Sequence, residues 1–218
     1  MANKTFTSAL SDYFDARINH YHSTKAPSDA TPEYIEQLRN TVHSTEQVLN
    51  DIALTGKRSG AKYYSTKHYG HNIGLSAVFR QPNADHSHCH LLHGYSLAFT
   101  FTFGCDELDD KNWAVDFGGL KPLKAWLEDS FDHKLCLDSA DPHLAKFQEL
   151  AALDLAEIRI FDGVGTEKFA EHAFKFADAL IREKTNNRCY CVRVECAEHG
   201  ANSAIYEGHR EWNENLFE

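Results

Sequence analysis

From Leu92 to Phe103 large and small side chains alternate without a break. His93, Tyr95, Leu97, Phe99, Phe101 and Phe103 fall on one face of an extended segment, and Gly94, Ser96, Ala98, Thr100 and Thr102 fall on the other. This segment reads as a strand. A bulky face opposite a small-residue face suits a sheet covered by helices on one side. A shorter alternation precedes it, with Leu75, Ala77 and Phe79 spaced by Ser76 and Val78. The loop between the two is too short for a parallel crossover, so the pair is expected to be antiparallel.

Helical spacing follows. Leu120, Leu123, Leu127 and Phe131 make one stripe, with Pro122 tolerable because it lies in the first turn. Ile158 to Phe161 reads as a short strand. Thr166-Glu167 opens a second helix whose buried stripe is Phe169, Ala170, Ala173, Ala177, Leu180 and Ile181. Cys189 to Cys196 and Ser203 to Tyr206 end the sequence as strands. Before all of this, residues 1–66 read as a helical extension. Thr31-Pro32-Glu33 is a helix start, followed by Ile35, Leu38, Val42, Leu49 and Ile52 on one stripe. The folded domain is expected over 67–218.

The 218 residues include 22 Lys+Arg against 32 Asp+Glu, a net charge of −10. An acidic whole does not steer toward phosphate backbones, so nucleic acid is not an expected partner. No run of about 18 apolar residues occurs and the N-terminus lacks an apolar signal segment, so a cytoplasmic protein that crosses no membrane is expected. Six cysteines without framework spacing are expected to be mostly buried, reduced thiols.

The densest chemical signal is Asp85-His86-Ser87-His88-Cys89-His90-Leu91-Leu92-His93. Imidazoles and a thiol so close together are what a zinc or other transition-metal site uses, although solvated histidines of a polar loop give the same pattern. Asp132-His133 is a second signal. A carboxylate can orient and charge a histidine for proton transfer, provided a turn lets adjacent residues face each other. Glu198, near the end of the last long strand, can accept two hydrogen bonds at once from a guanidine-like base edge, with Glu195 the next candidate.

Taken in order, these pieces form a string: Phe79-Arg80-Gln81-Pro82, Cys89-x-x-x-His93-Gly94-Tyr95-Ser96, Trp113-Ala114-Val115-Asp116-Phe117, Phe131-Asp132-His133, Thr166-Glu167-Lys168-Phe169-Ala170, and Glu198 eight residues before Tyr206. The string resembles the 6-pyruvoyl-tetrahydropterin synthase superfamily over about residues 70–207. Its Cys-x-x-x-His spacing is similar to the 6-carboxytetrahydropterin synthase branch. The resemblance implies an α+β tunnelling fold: a four-stranded antiparallel sheet, two helices on one face, and homo-oligomers with active sites at subunit interfaces.

The resemblance also implies roles. Cys89 matches the catalytic thiol, Asp132 and His133 the proton-transfer pair, Glu198 the pterin anchor, and Thr166 and Glu167 the segment lining the pterin pocket. The implied reaction is that of a carbon–carbon or carbon–oxygen lyase on 7,8-dihydroneopterin triphosphate or a related reduced pterin. The family holds zinc with three histidines. At those positions this sequence has Phe79, His93 and Tyr95, so zinc here would need local substitutes. His88 and His93 are the first choices, with His86 and His90 behind them, and Arg80 is a candidate for the triphosphate. Beside the lyase stand two other readings: a pterin- or purine-binding protein without turnover, and a structural subunit on the same fold.

Overall fold

The computed structural model describes residues 61–208. Its strands are β1 (Tyr63–Tyr69), β2 (Leu75–Phe79), β3 (His93–Cys105), β4 (Lys134–Asp138), β5 (Glu157–Phe161), β6 (Cys189–His199) and β7 (Asn202–Glu207). Its helices are α1 (Lys121–Phe131), α2 (Leu144–Ala152) and α3 (Thr166–Lys184). The sheet order is β5-β4-β2-β3-β6-β7, and β1 pairs with β3.

The four antiparallel strands expected from the sequence are present as β2-β3-β6-β7. Three more strands extend them. β1 pairs antiparallel with the second half of β3, from Tyr69↔Phe99 to Tyr63↔Cys105. β4 and β5 pair parallel, continuing the sheet beyond β2. The sheet is therefore larger than expected, and mixed rather than purely antiparallel. β4 was not legible as a strand because Lys134 to Leu137 are all buried, which erases the alternation that marks a half-exposed strand. The expected boundary at residue 66 falls inside β1. The helices expected within residues 1–60 lie outside the described residues.

The face of β3 that carries its large residues is the one the helices cover. Phe99 packs on Phe131 of α1 with ring centroids 5.0 Å apart, and Phe79 meets Phe169 of α3 edge-on at 5.2 Å. Trp126 of α1 stacks on Phe176 of α3 at 4.9 Å, joining the two helices. Phe79, Phe99, Phe101, Phe103, Phe131 and Phe169 are all fully buried. Burial of each such ring contributes about 2–3 kcal/mol, so this aromatic layer is the main cohesive element.

The β3–β6 ladder is broken once. Thr102 pairs with Arg193 but Phe103 pairs with Cys191, leaving Val192 as an extra residue on β6. Gly104 lies beneath it. A Cβ there would stand 2.9 Å from the Val192 side chain, so glycine is required for close approach.

Five of the six cysteines are buried free thiols, as expected, and Cys89 alone is exposed. No described helix is long and apolar enough to cross a membrane.

Candidate active site

Cys89 sits in a single 3-10 turn, His88–His90, that follows β2. Ser87 caps this turn by accepting the Cys89 N–H at 3.2 Å. The Cys89 carbonyl accepts the N–H of Gln81 at 2.8 Å, which ties the turn back to the end of β2. His88 is exposed, and the His90 ring is engaged with the Ser87 carbonyl.

At the start of β3 the backbone returns beside β2, pairing Phe79 with His93 and Ala77 with Tyr95. Three rings converge there. Phe79 and His93 lie 4.9 Å apart, His93 and Tyr95 5.7 Å, and Phe79 and Tyr95 6.1 Å. His93 Nδ1 is hydrogen-bonded to the Leu91 carbonyl at 2.8 Å, leaving Nε2 as its free nitrogen. His199 packs on the other side of Tyr95 at 5.8 Å.

Glu198 follows Ala197, which pairs with Ala98, at the point where the β6–β7 pairing shifts register between Ala197 and His199. Burial raises the Tyr95 hydroxyl above its ordinary pKa, and the charges of Glu198 and Cys89 raise it further. Burial likewise pushes the Cys196 thiol well up, followed by the charges of Glu198 and Glu167. The charges of Glu198 and Cys89 thus act on Tyr95, and those of Glu198 and Glu167 on Cys196. Glu195 pairs with Thr100 and faces the opposite way, which removes it as a second anchor.

Glu167 lies in the first turn of α3, where a carboxylate is favoured by the helix dipole, and Thr166 donates its hydroxyl to Glu167 Oε2 at 3.2 Å. The loop that delivers them passes through Gly163 and Gly165, with φ of 85° and 105°. A side chain at Gly165 would meet the Gln81 amide at 2.2 Å. That amide donates to the Val164 carbonyl at 2.7 Å. Gln81 was not singled out from sequence, because a bond across 83 positions leaves no local signal; the paired glycines ahead of Thr166 were the one visible trace.

Asp132 and His133 do form the expected pair, with Nδ1 donating to Asp132 Oδ1 at 2.7 Å. The turn that lets neighbours face each other is supplied by His133 itself, whose φ is +56°. The His133 side chain is 84% exposed. This pair is not brought to Cys89 within one subunit. β4 first pairs with β2 at Ala77↔Lys134, so Asp132 and His133 precede that point, whereas Cys89 lies beyond the other end of β2. About five residues of strand direction separate the backbones, on the order of 15 Å at ~3.3 Å per residue.

Arg80 is committed elsewhere. Its Nε lies 3.0 Å from Oδ2 of Asp141, a fully buried carboxylate side chain. A triphosphate would have to displace this ion pair to use the guanidinium.

The geometry and the ordered residues above coincide with one family. The model of the 6-pyruvoyl tetrahydropterin synthase family matches residues 64–209. The chain belongs to that family. Among similar proteins of the family's 6-carboxy-5,6,7,8-tetrahydropterin synthase type, the one from Rickettsia bellii is 34% identical over 59 residues, 27% of this chain and 43% of the relative. The one from Bacillus subtilis is 25% identical over 135 residues, 62% of this chain and 81% of the relative. The chain therefore spans less than half of the Rickettsia relative it matches. In fold it is similar to an uncharacterized protein from Wolinella succinogenes, with a TM-score of 0.56 at 16% identity, covering 67% of this chain and 98% of that one.

The family's zinc position does not fit zinc in this protein. Phe79 offers only carbon, and it is 1% exposed and packed on Phe169, so no other side chain takes its place. Tyr95 offers a phenol oxygen where zinc ordinarily takes imidazole, thiolate or carboxylate. Only His93 is left. Among the described residues no three His, Cys, Asp or Glu side chains are grouped closely enough to hold a metal.

Proposed function

We propose that this protein binds a reduced pterin and acts on its side chain as a lyase of the 6-carboxytetrahydropterin synthase kind. The supporting observation is that Gln81 ties the Cys89 turn to the loop that delivers Glu167, with Glu198 and Cys89 near enough for their charges to act on Tyr95. A carboxylate in that position accepts paired N–H donors from the aminopyrimidinone edge of a pterin. Cys89 is exposed and so free to meet the substituent that the ring carries.

With 7,8-dihydroneopterin triphosphate as substrate, the Cys89 thiolate removes a proton from carbon in the pterin substituent. The released electron pair forms a carbon–carbon double bond, and the adjacent C–O bond breaks as triphosphate departs. His133, with Nδ1 held by Asp132, presents Nε2 for proton transfer at an oxygen of that substituent. Because the pair lies at the far end of β2 from Cys89 of the same subunit, a second copy brings it to the thiol. The protein in this reading is a homo-oligomer with sites between subunits.

Incubation with 7,8-dihydroneopterin triphosphate, followed by chromatography for released triphosphate and altered pterin, tests the reading. Release that depends on Cys89 supports it. A bound, unchanged pterin favours the second reading, a binding protein without turnover, which the loss of two zinc ligands at Phe79 and Tyr95 supports.

A further inference from the structure

The corner formed by Phe79, His93 and Tyr95 is built for a neutral group. Phe79 closes it with an apolar wall, edge to face on Phe169. His93 commits Nδ1 to the Leu91 carbonyl at 2.8 Å, which fixes the proton there and leaves Nε2 as an acceptor on a ring packed against Phe79 and Tyr95. Tyr95, held between His93 and His199, brings a hydroxyl that both donates and accepts. One acceptor and one donor–acceptor beside an apolar wall match an alcohol. They do not match a divalent cation, which would need anionic or several imidazole ligands.

We infer that the Tyr95 hydroxyl and His93 Nε2 grip a hydroxyl on the substituent of the bound pterin, at the position where relatives of this fold hold zinc, and that this site takes no zinc. The inference rests on the pterin reading above and deepens it: it assigns Tyr95 as the residue selecting pterins that bear a hydroxylated substituent. Phe79 keeps water from the bond.

Two measurements test this on the full-length protein. The first is zinc content by elemental mass spectrometry after exposure to micromolar zinc, for wild type and His93→Ala. Little zinc in either protein, or equal zinc in both, leaves the corner empty and supports the inference, since equal zinc belongs to the exposed His86–His90 turn. About one zinc per subunit that His93→Ala releases overturns it. The second is calorimetric affinity for 7,8-dihydroneopterin and for 7,8-dihydropterin, which lacks the hydroxylated substituent. Tyr95→Phe removes only the oxygen and preserves the ring packing. Roughly tenfold weaker binding of 7,8-dihydroneopterin, with 7,8-dihydropterin unchanged, is expected for one lost hydrogen bond in a partly buried site. Equal affinities in wild type and variant overturn the inference while the pterin reading stands. If wild type binds neither pterin, the pterin reading fails and the inference falls with it.

Discussion

The side-chain amide of Gln81 donates to the carbonyl of Val164 at 2.7 Å, while the backbone N–H of the same residue holds the carbonyl of Cys89 at 2.8 Å. The thiol-bearing turn and the loop that enters α3 are thereby set by one residue. Gly165 completes the arrangement, because its φ of 105° and the absent Cβ leave room for the amide.

Gly165→Ala is expected to destabilise the protein by about 2 kcal/mol or more, through a strained backbone and a clash with Gln81. Gln81→Ala removes one hydrogen bond and costs about 1 kcal/mol. In the double variant the clash is gone but the strain stays, so its loss is expected to be smaller than the sum of the two. Denaturant midpoints of the four proteins measure this coupling. Strict additivity would mean that Gln81 and Gly165 do not share the contact.

Cys89→Ala is expected to abolish turnover and leave pterin affinity nearly unchanged, because the thiol acts on the substituent and not on the ring. Glu198→Gln is expected to do the reverse. An amide cannot accept both ring hydrogen bonds, and about tenfold or more of affinity is lost. Calorimetric titration with a reduced pterin, alongside product release, separates the two. Full activity in Cys89→Ala would remove the thiol from the mechanism.

Separation of the Asp132–His133 pair from Cys89 along β2 carries its own test. Cys89→Ala and His133→Ala are each expected to be inactive alone. After the two are denatured and refolded together in equal amounts, random assembly places an intact thiol against an intact pair in about one site in four. Recovery of roughly a quarter of wild-type activity is expected. No recovery, with mixed oligomers demonstrated by mass spectrometry, would place both groups of a site in one subunit.

Acid sensitivity should trace to His172 on α3, whose ring packs on Phe161 at 5.0 Å. Burial, followed by the Lys175 charge, lowers its pKa to about 4. The unfolded protein takes up this proton near pH 6.5, so between pH 6.5 and about 4 unfolding binds a proton and stability falls as pH falls. Its neighbour Glu171 does not share that window. Burial acts to raise Glu171, but hydrogen bonds from Lys175 and Lys168 outweigh it and hold the group at about 2, so its contribution is lost only below about pH 4.5. From pH 7 to 5 the wild type is expected to lose about 1–2 kcal/mol from His172, a few degrees in Tm, with the ring's partial exposure setting the lower end. His172→Gln should show a flatter profile by differential scanning calorimetry; an identical slope would locate the titrating group elsewhere.

How far the sequence spoke for the structure depends on the range of the interactions involved. β3 was legible because large and small residues alternate along it, although much of its length is buried on both faces, and α3 because its buried residues form a helical stripe. β4 is buried on both faces, and β1, with Ser65, Thr66, Lys67 and His68, lacks an apolar face; neither offers such a period. Cys89, Glu198 and the Asp132–His133 pair could be named in advance because they fall in an ordered string. Their grouping could not. The left-handed turn at His133 and the Gln81–Val164 bond arise from tertiary contacts, and the filled corner at Phe79 became decisive only once Phe169 was seen against it.

The extra residue on β6 has a consequence for the way the strand faces. Before Val192 the residues of β6 that point toward the helices are odd-numbered, Cys189 and Cys191, opposite Cys105 and Phe103; after it they are even-numbered, Val194 and Cys196, opposite Phe101 and Phe99. One inserted residue changes the parity of everything downstream. With β6 a residue shorter, Val194 and Cys196 would turn to the far face of the sheet and leave the core. Which side chains β6 gives to the core is therefore encoded in the count of residues along the strand as much as in their kinds, and Gly104 makes room for the inserted Val192.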